Sequence, residues 1–243
     1  MRIVLIICWF AFNVRGTGNG ADQPKTRTVD EILESYTRVL GGQATIDRVT
    51  TREVEADEHH GPKQLYYWQK PNKVLLISKG EKIGFDGSGG WILSRKKKLT
   101  RLPRGAQKPL EMNADPVRYI HLKQLYFNVQ TAPNEVVDSK PMEVLVAPND
   151  LGSTKFYFDA ASHLLSRIED TGETSAYYKH VTEFGDYKEV DGIKFPFRIV
   201  HTSTEPGMGA EDIRIKKVIQ NLELKPDIFS KPNVGSVVLG GKR

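Results

Sequence analysis

Residues Asp186–Val200 read "DYKEVDGIKFPFRIV": Ile193, Phe195, Phe197 and Ile199 fall at every second position, with Lys194, Pro196 and Arg198 between them. Side chains of a strand alternate between its two faces, so this pattern describes a strand that is buried on one side and wet on the other. Asp191-Gly192, set between Val190 and Ile193, has the composition of a two-residue hairpin turn. Pro196 has no backbone N–H to give to a ladder, which restricts it to an edge or a bulge. The stretch predicts antiparallel sheet.

Outward from it the same period persists. From about Thr51 onward, "LYYWQ", "KVLLIS", "MEVLVA", "KFYFD" and "HLLSRI" are short apolar-rich runs separated by turn residues, the signature of many antiparallel strands. Pro71-Asn72 separates the first two runs as a turn. Two segments break the pattern. In "TVDEILESYTRVLGG", Thr28 and Glu31 have capping-box spacing, Val29, Ile32, Leu33, Tyr36 and Leu40 recur at helical intervals, and Gly41-Gly42 ends the run, which predicts an amphipathic N-terminal helix. In "DPVRYIHLKQLYF", Asp115 and Pro116 suit a helix start; Val117, Tyr119, Ile120, Leu122, Leu125 and Tyr126 spread around most of the cylinder, so this second helix is expected to be covered on more than one side.

The chain of 243 residues, 39% hydrophobic and 27% charged, has an ordinary globular composition and the length to bury a core. Arg2, an apolar run from Ile3 to Val14 and small or polar residues through Gly20 have the layout of an export signal, too short to span a bilayer comfortably. Residues 1–20 are read as a signal peptide, cleaved between Gly16 and Ala21 or retained as an anchor, and 22–243 as one domain. Cys8, the single cysteine, lies in the leader, which leaves the exported part without disulfide, thiolate or Cys-based metal chemistry. Loss of Arg2 and Arg15 takes two charges off the net +5; export disfavours nucleic acid as the partner of the remaining basic bias.

Catalytic signatures are missing: the sequence has no G-x-S-x-G, H-E-x-x-H or Walker loop. His59-His60 is the best metal candidate, yet neighbouring strand residues point to opposite faces, so solvated histidines are the simpler reading, as for the scattered His121, His163, His180 and His201. The acid pairs Asp57-Glu58 and Glu169-Asp170 would need an enclosed site and shifted pKa values to act in catalysis. No metal or cofactor is expected, and no enzyme.

"FDGSGGWILSRKKKLTRLP", Phe85–Pro103, sets a Gly-rich turn and Trp91 against Arg95, Lys96, Lys97, Lys98 and Arg101; with Arg104 and Lys108 they make a basic cluster without an acid from Gly87 to Leu110. It reads either as an edge facing an anionic membrane or a partner, at about 1 kcal/mol per base, or as a solubilising strand edge. Tyr66, Trp68, Phe85, Trp91, Tyr157, Tyr177, Phe195 and Phe197 fall in expected strands, where aromatic residues fill a core or, on a curved sheet, line its hollow.

"FDGSGGWILSRKKKLTRL", with Asp86, Gly87 and Trp91, resembles the Asp-Gly…Trp hairpin of the LolA/LolB-like superfamily of periplasmic lipoprotein carriers. "YYWQKPNKVLL", "ADPVRYIHL", "MEVLVAPNDLGSTKFYFDAASHLLSRIEDTGE" and "VIQNLELKPDIFSKP" are similar to further segments of that superfamily, in the same order, over about residues 28–232. "DYKEVDGIKFPFRI" points to a divergent branch. The resemblance implies an incompletely closed antiparallel β-barrel, mainly β with helices, whose hollow holds acyl chains under a helical lid. It places Lys70 where LolA has a lid-tethering Arg; Lys lacks the planar multi-donor fork, so such a latch would be looser or absent. Strand parity then groups Tyr66, Trp68 and Lys70 with Val74 and Leu76 as ligand-binding residues, and Trp91 and Leu93 are expected to join them. The implied function is a non-catalytic, monomeric periplasmic carrier of lipid or lipoprotein acyl chains with inner- or outer-membrane protein partners. The alternatives are an envelope sensor of the RseB type and, least favoured, a hydrolase built on His59 or His60.

Overall fold

In a computed structural model, which describes residues 27–58, 61–149, 152–171 and 177–233, the leader and His59-His60 lie outside the described residues. Helix α1 (Val29–Leu40) starts as its capping box predicts: Glu31 N donates to Thr28 Oγ1 at 3.2 Å and Thr28 N donates to Glu31 Oε2 at 2.7 Å. Ile32, Leu33, Tyr36 and Leu40 are buried along one face. Gly41 stops the helix at φ 133°, where a Cβ would sit 2.1 Å from Gly192 O; the chain turns there into a short helix, α2 (Gln43–Asp47), that the sequence pattern did not announce.

Among the described residues thirteen strands form one sheet. The first six are β1 (Thr51–Glu58), β2 (Lys63–Gln69), β3 (Lys73–Ser78), β4 (Glu81–Phe85), β5 (Gly90–Leu93) and β6 (Leu99–Arg101). A connecting segment carries a 3₁₀ turn (Arg104–Ala106), α3 (Lys108–Asn113), a second 3₁₀ turn (Arg118–Ile120) and α4 (Leu122–Leu125). The chain then returns through β7 (Gln130–Val137), β8 (Lys140–Pro148), β9 (Ser153–Asp159), β10 (Leu165–Thr171), β11 (Lys179–Val190), β12 (Ile193–Ser203) and β13 (Glu211–Gln220). Every pairing is antiparallel, in the order β6-β5-β4-β3-β2-β1-β13-β12-β11-β10-β9-β8-β7. Each strand pairs with its sequence neighbours except where β13 returns to β1, and the sheet stays open between β6 and β7, the two edges that the helical segment joins.

The quoted hairpin forms as expected. Val190 pairs with Ile193, and Asp191 and Gly192 take φ 50° and 78°, the left-handed pair that a two-residue turn requires. Pro196 lies where β12 pairs with β11 alone, since its pairing with β13 begins at Arg198. Trp68 of β2 and Leu145 of β8 join one core cluster with Tyr36, Phe156, Phe158 and Ile193, although six strands separate them in the sheet. The sheet is therefore wrapped, with α1 packed into one end of its inner face.

The single second helix is corrected by the structure. Asp115 does not open it; its Oδ1 accepts from Val117 N at 3.0 Å and its Oδ2 lies 2.6 Å from His121 Nδ1, which folds the chain into a 3₁₀ turn followed by four residues of helix. This break lets both Ile120 and Leu122 enter the core with α1, which one straight cylinder with apolar residues all round would not. Tyr177 is likewise corrected: it precedes β11 and is 91% exposed.

Candidate functional site

Register divides the side chains of β1 to β5 into transverse rows. On the inner face Arg52, Trp68, Val74, Phe85 and Gly90 stand side by side, and the next row is Val54, Tyr66, Leu76, Ile83 and Ile92. The first row is buried, and from Trp68 to Gly90 it lies beneath the connecting segment: Trp68 Nε1 donates to Ala114 O, and Leu110 and Ala114 pack on Val74 and Phe85. Gly90 admits that segment, because a Cβ there would lie 3.1 Å from Leu110 Cδ1 and 3.2 Å from Leu102 Cδ1.

The second row is only partly covered. Tyr66, Leu76, Ile83 and Ile92 are half-buried, and so are Phe195, Phe197 and Ile199, which flank Val54, Ala56, Ile213 and Ile215 from the other side of β1. Together they make a half-exposed apolar strip on the inner face, the trough, next to the row that the connecting segment covers as a lid. Burial raises the Tyr66 hydroxyl pKa, with Glu211 and Glu58 adding to it. His201, on β12, is lowered by burial, opposed by Glu211 and reinforced by Arg118 of the lid. The trough is thus a low-polarity strip with charge at its margins.

The residues singled out from sequence separate into three groups. Tyr66, Trp68, Val74 and Leu76 share the inner face, as parity predicts. Trp91 and Leu93 do not: Gly90 occupies the inner row, so Trp91 and Leu93 face outward, opposite Gly84 and Lys82. Trp91 lies flat across Gly84, whose Cβ would sit 2.4 Å from the indole, and it donates from Nε1 to Phe229 O at 3.1 Å. Phe229, Leu75 and Leu93 complete that separate outer core. The four-residue turn Asp86–Gly89, held by Asp86 Oδ1 accepting from Ser88 N and Gly89 N at 2.9 and 2.8 Å, sets this parity, and hairpin spacing alone does not. Lys70 stands in the β2–β3 turn, where its Nζ donates to Asp47 O at 2.6 Å; it holds the end of α2 and not the lid.

Arg95, Lys96, Lys97 and Lys98 form the exposed tip between β5 and β6, closed by Ser94 N donating to Lys98 O at 3.0 Å. Arg101 is exposed on the outer side of the β6 edge. Among the described residues none of these bases takes part in an ion pair.

Arg52 was not anticipated. It is 3% exposed in the inner row, its Nη2 donates to Gln220 Oε1 at 3.0 Å, and its guanidinium lies 5.2 Å from the Phe195 ring. Burial pushes it down to about 10, so it stays charged at neutral pH. The sequence held a signal for it: Arg52 has the parity of Val54 and Ala56, while Glu53, Glu55 and Asp57 have the other.

Two grooves open elsewhere. One of about 590 Å³ lies between α1 and the lid and is lined by Asp30, Glu34, Arg38, Lys123 and Gln124 among others. One of about 560 Å³ lies on the outer face under the C-terminal segment, beside Tyr67, Leu75, Trp91 and Ile228. The first mixes polar and apolar lining, Leu33 and Ile120 among the latter, and neither belongs to the inner trough. Among the described residues no cluster of three or more His, Cys, Asp or Glu has the arrangement of a metal site, and no helix is long and apolar enough to cross a membrane.

No protein-family model and no curated protein matches the chain. Solved structures do. An outer membrane lipoprotein-sorting protein domain from Vibrio parahaemolyticus is 14% identical with a TM-score of 0.57, over 83% of this chain and 96% of that one. A DUF1329 family protein from Desulfovibrio piger is 12% identical with a TM-score of 0.56, over 83% and 96%. A LolA superfamily protein from Nitrosomonas europaea is 12% identical with a TM-score of 0.53, over 84% and 98%. At these identities the likeness speaks for architecture: the chain has the LolA-like fold, an antiparallel sheet wrapped short of closure with helices across its opening.

Proposed function

We propose that the protein is an exported, non-catalytic carrier that works in the periplasm and holds an acyl chain of a lipid or lipoprotein against the inner face of its sheet. The observation that carries this reading is the half-exposed apolar trough of Tyr66, Leu76, Ile83, Phe195, Phe197 and Ile199 next to the row covered by the lid, the segment that joins the two sheet edges. A methylene withdrawn from a membrane loses about 0.8 kcal/mol, so a long chain loses on the order of 10 kcal/mol unless an equivalent apolar surface receives it. Lid movement that widens the trough would supply that surface, and Trp68 and Val74 beneath Ala114 are where the chain would enter the closed end. The fold family of the lipoprotein-sorting domain from Vibrio parahaemolyticus agrees with cargo of this kind. The bases at the β5–β6 tip, free of ion pairs among the described residues, suit transient contact with acidic head groups or with an acidic membrane-protein partner.

The direct test is native mass spectrometry and organic extraction of protein purified without detergent, followed by incubation with added phospholipid. We expect an amphiphile bound at about one per chain, by the capacity of a single trough. Repeated recovery of empty protein that also takes up no added lipid would overturn the carrier reading.

A further inference from the structure

Among the described residues Arg52 is a charged side chain buried without a counter-ion. Among the described residues no carboxylate lies in an ion pair with it, its Nε has no hydrogen-bond partner, and Glu53, Glu55 and Asp57 of its own strand point to the outer face. Gln220 cannot neutralise it; that amide is itself held by donating from Nε2 to Val190 O at 2.7 Å, which presents its Oε1 to Arg52. The Phe195 ring adds cation–π attraction on one side. A desolvated guanidinium with an unused N–H is costly in an empty site and is the group best matched to a planar carboxylate or a phosphate.

We propose that Arg52 recognises the anionic group of the cargo: the trough takes an amphiphile whose carboxylate or phosphate pairs with Arg52 beside the lid-covered Trp68 while its acyl chain runs along Tyr66, Phe195 and Phe197. This deepens the carrier reading and rests on it. The row geometry supports it, since Arg52 stands in the covered row beside Trp68 and one row from Tyr66, where a short anionic head and a long apolar tail would each meet their complement. The residue's charge survives its burial at neutral pH.

The test compares two probes with the same chain, 1-palmitoyl lysophosphatidic acid and neutral monopalmitoylglycerol, for displacement of a polarity-sensitive dye, with inorganic phosphate and acetate as chain-free controls. The wild-type protein is expected to prefer the anionic probe about tenfold or more, the value of a charge-assisted hydrogen bond. Arg52→Met should keep monopalmitoylglycerol binding and lose the preference, Arg52→Lys should keep part of it, and the Tm of ligand-free Arg52→Met should equal or exceed that of wild type, because an unpaired buried charge has gone. A purely structural arginine would lower Tm in Arg52→Met and leave head-group preference untouched. Equal wild-type affinity for both probes overturns the assignment and leaves the carrier reading standing, whereas binding of neither overturns both. Stabilisation of the wild type by phosphate or acetate alone, lost in Arg52→Met, would assign Arg52 a free anion and overturn the head-group form of the proposal.

Discussion

Tyr36 shows how one buried side chain ties stability to pH. It stands on the inner face of α1, edge-on to Phe158 with ring centroids 5.2 Å apart. Burial, then the neighbouring Tyr119, raises its hydroxyl pKa well above the ordinary value, and the adjacent Tyr187, whose hydroxyl donates to Leu165 O at 2.7 Å, is raised for the same first reason. A folded-state pKa above the unfolded one means that the folded chain holds the proton more tightly. The stabilisation is complete below the unfolded value of about 10 and is lost as pH rises beyond it. Urea midpoints should therefore fall as pH rises past about 10, and Tyr36→Phe should lessen that decline; an equal decline in the variant would locate the effect elsewhere. Tyr36 was legible as an apolar-face residue in the helical pattern, and Tyr187 was not singled out. Their mutual contact was not legible, because α1 and β11 lie far apart in the chain and meet only when the sheet wraps.

Elements with strong local rules followed the sequence closely, and those with weak rules did not. The capping box and apolar stripe of α1 and the Asp-Gly turn of β11–β12 each depend on interactions within a few residues, so local composition decides them. The lid has no such rule: its short helices are set by where Leu110, Ala114, Ile120 and Leu122 find partners on other elements. The basic tip of β5–β6 is an intermediate case. Sequence placed its charges in a hairpin, and the structure adds that Arg95, Lys96, Lys97 and Lys98 crowd one exposed turn. Replacing all four by Gln should weaken co-sedimentation with anionic vesicles by roughly 1 kcal/mol per charge at low salt, with a smaller effect at high salt, and leave Tm almost unchanged. Undiminished vesicle binding would mean that these bases serve solubility alone.

At the scale of the molecule the open sheet leaves two edges, and each is guarded. β6 has three residues; β7 carries Pro133 and a register shift between Ala132 and Glu135. Short or kinked edges resist pairing with another copy, so sedimentation velocity should find a monomer, and Pro133→Thr, which restores an N–H to the edge, should increase self-association; a wild-type dimer would refute this account of the edges. The sequence by itself determined the class of the fold, the α1 helix, most strand positions and the common face of Tyr66, Trp68, Val74 and Leu76, because periodicity and turn chemistry act over a few residues and survive any global arrangement. Tertiary structure alone decided that Trp91 and Leu93 face outward, that Lys70 meets α2, that the lid breaks at Asp115 and that Arg52 is buried without a carboxylate. Those outcomes depend on strand register across turns and on which distant surfaces a wrapped sheet brings together, and no short window of residues contains that information.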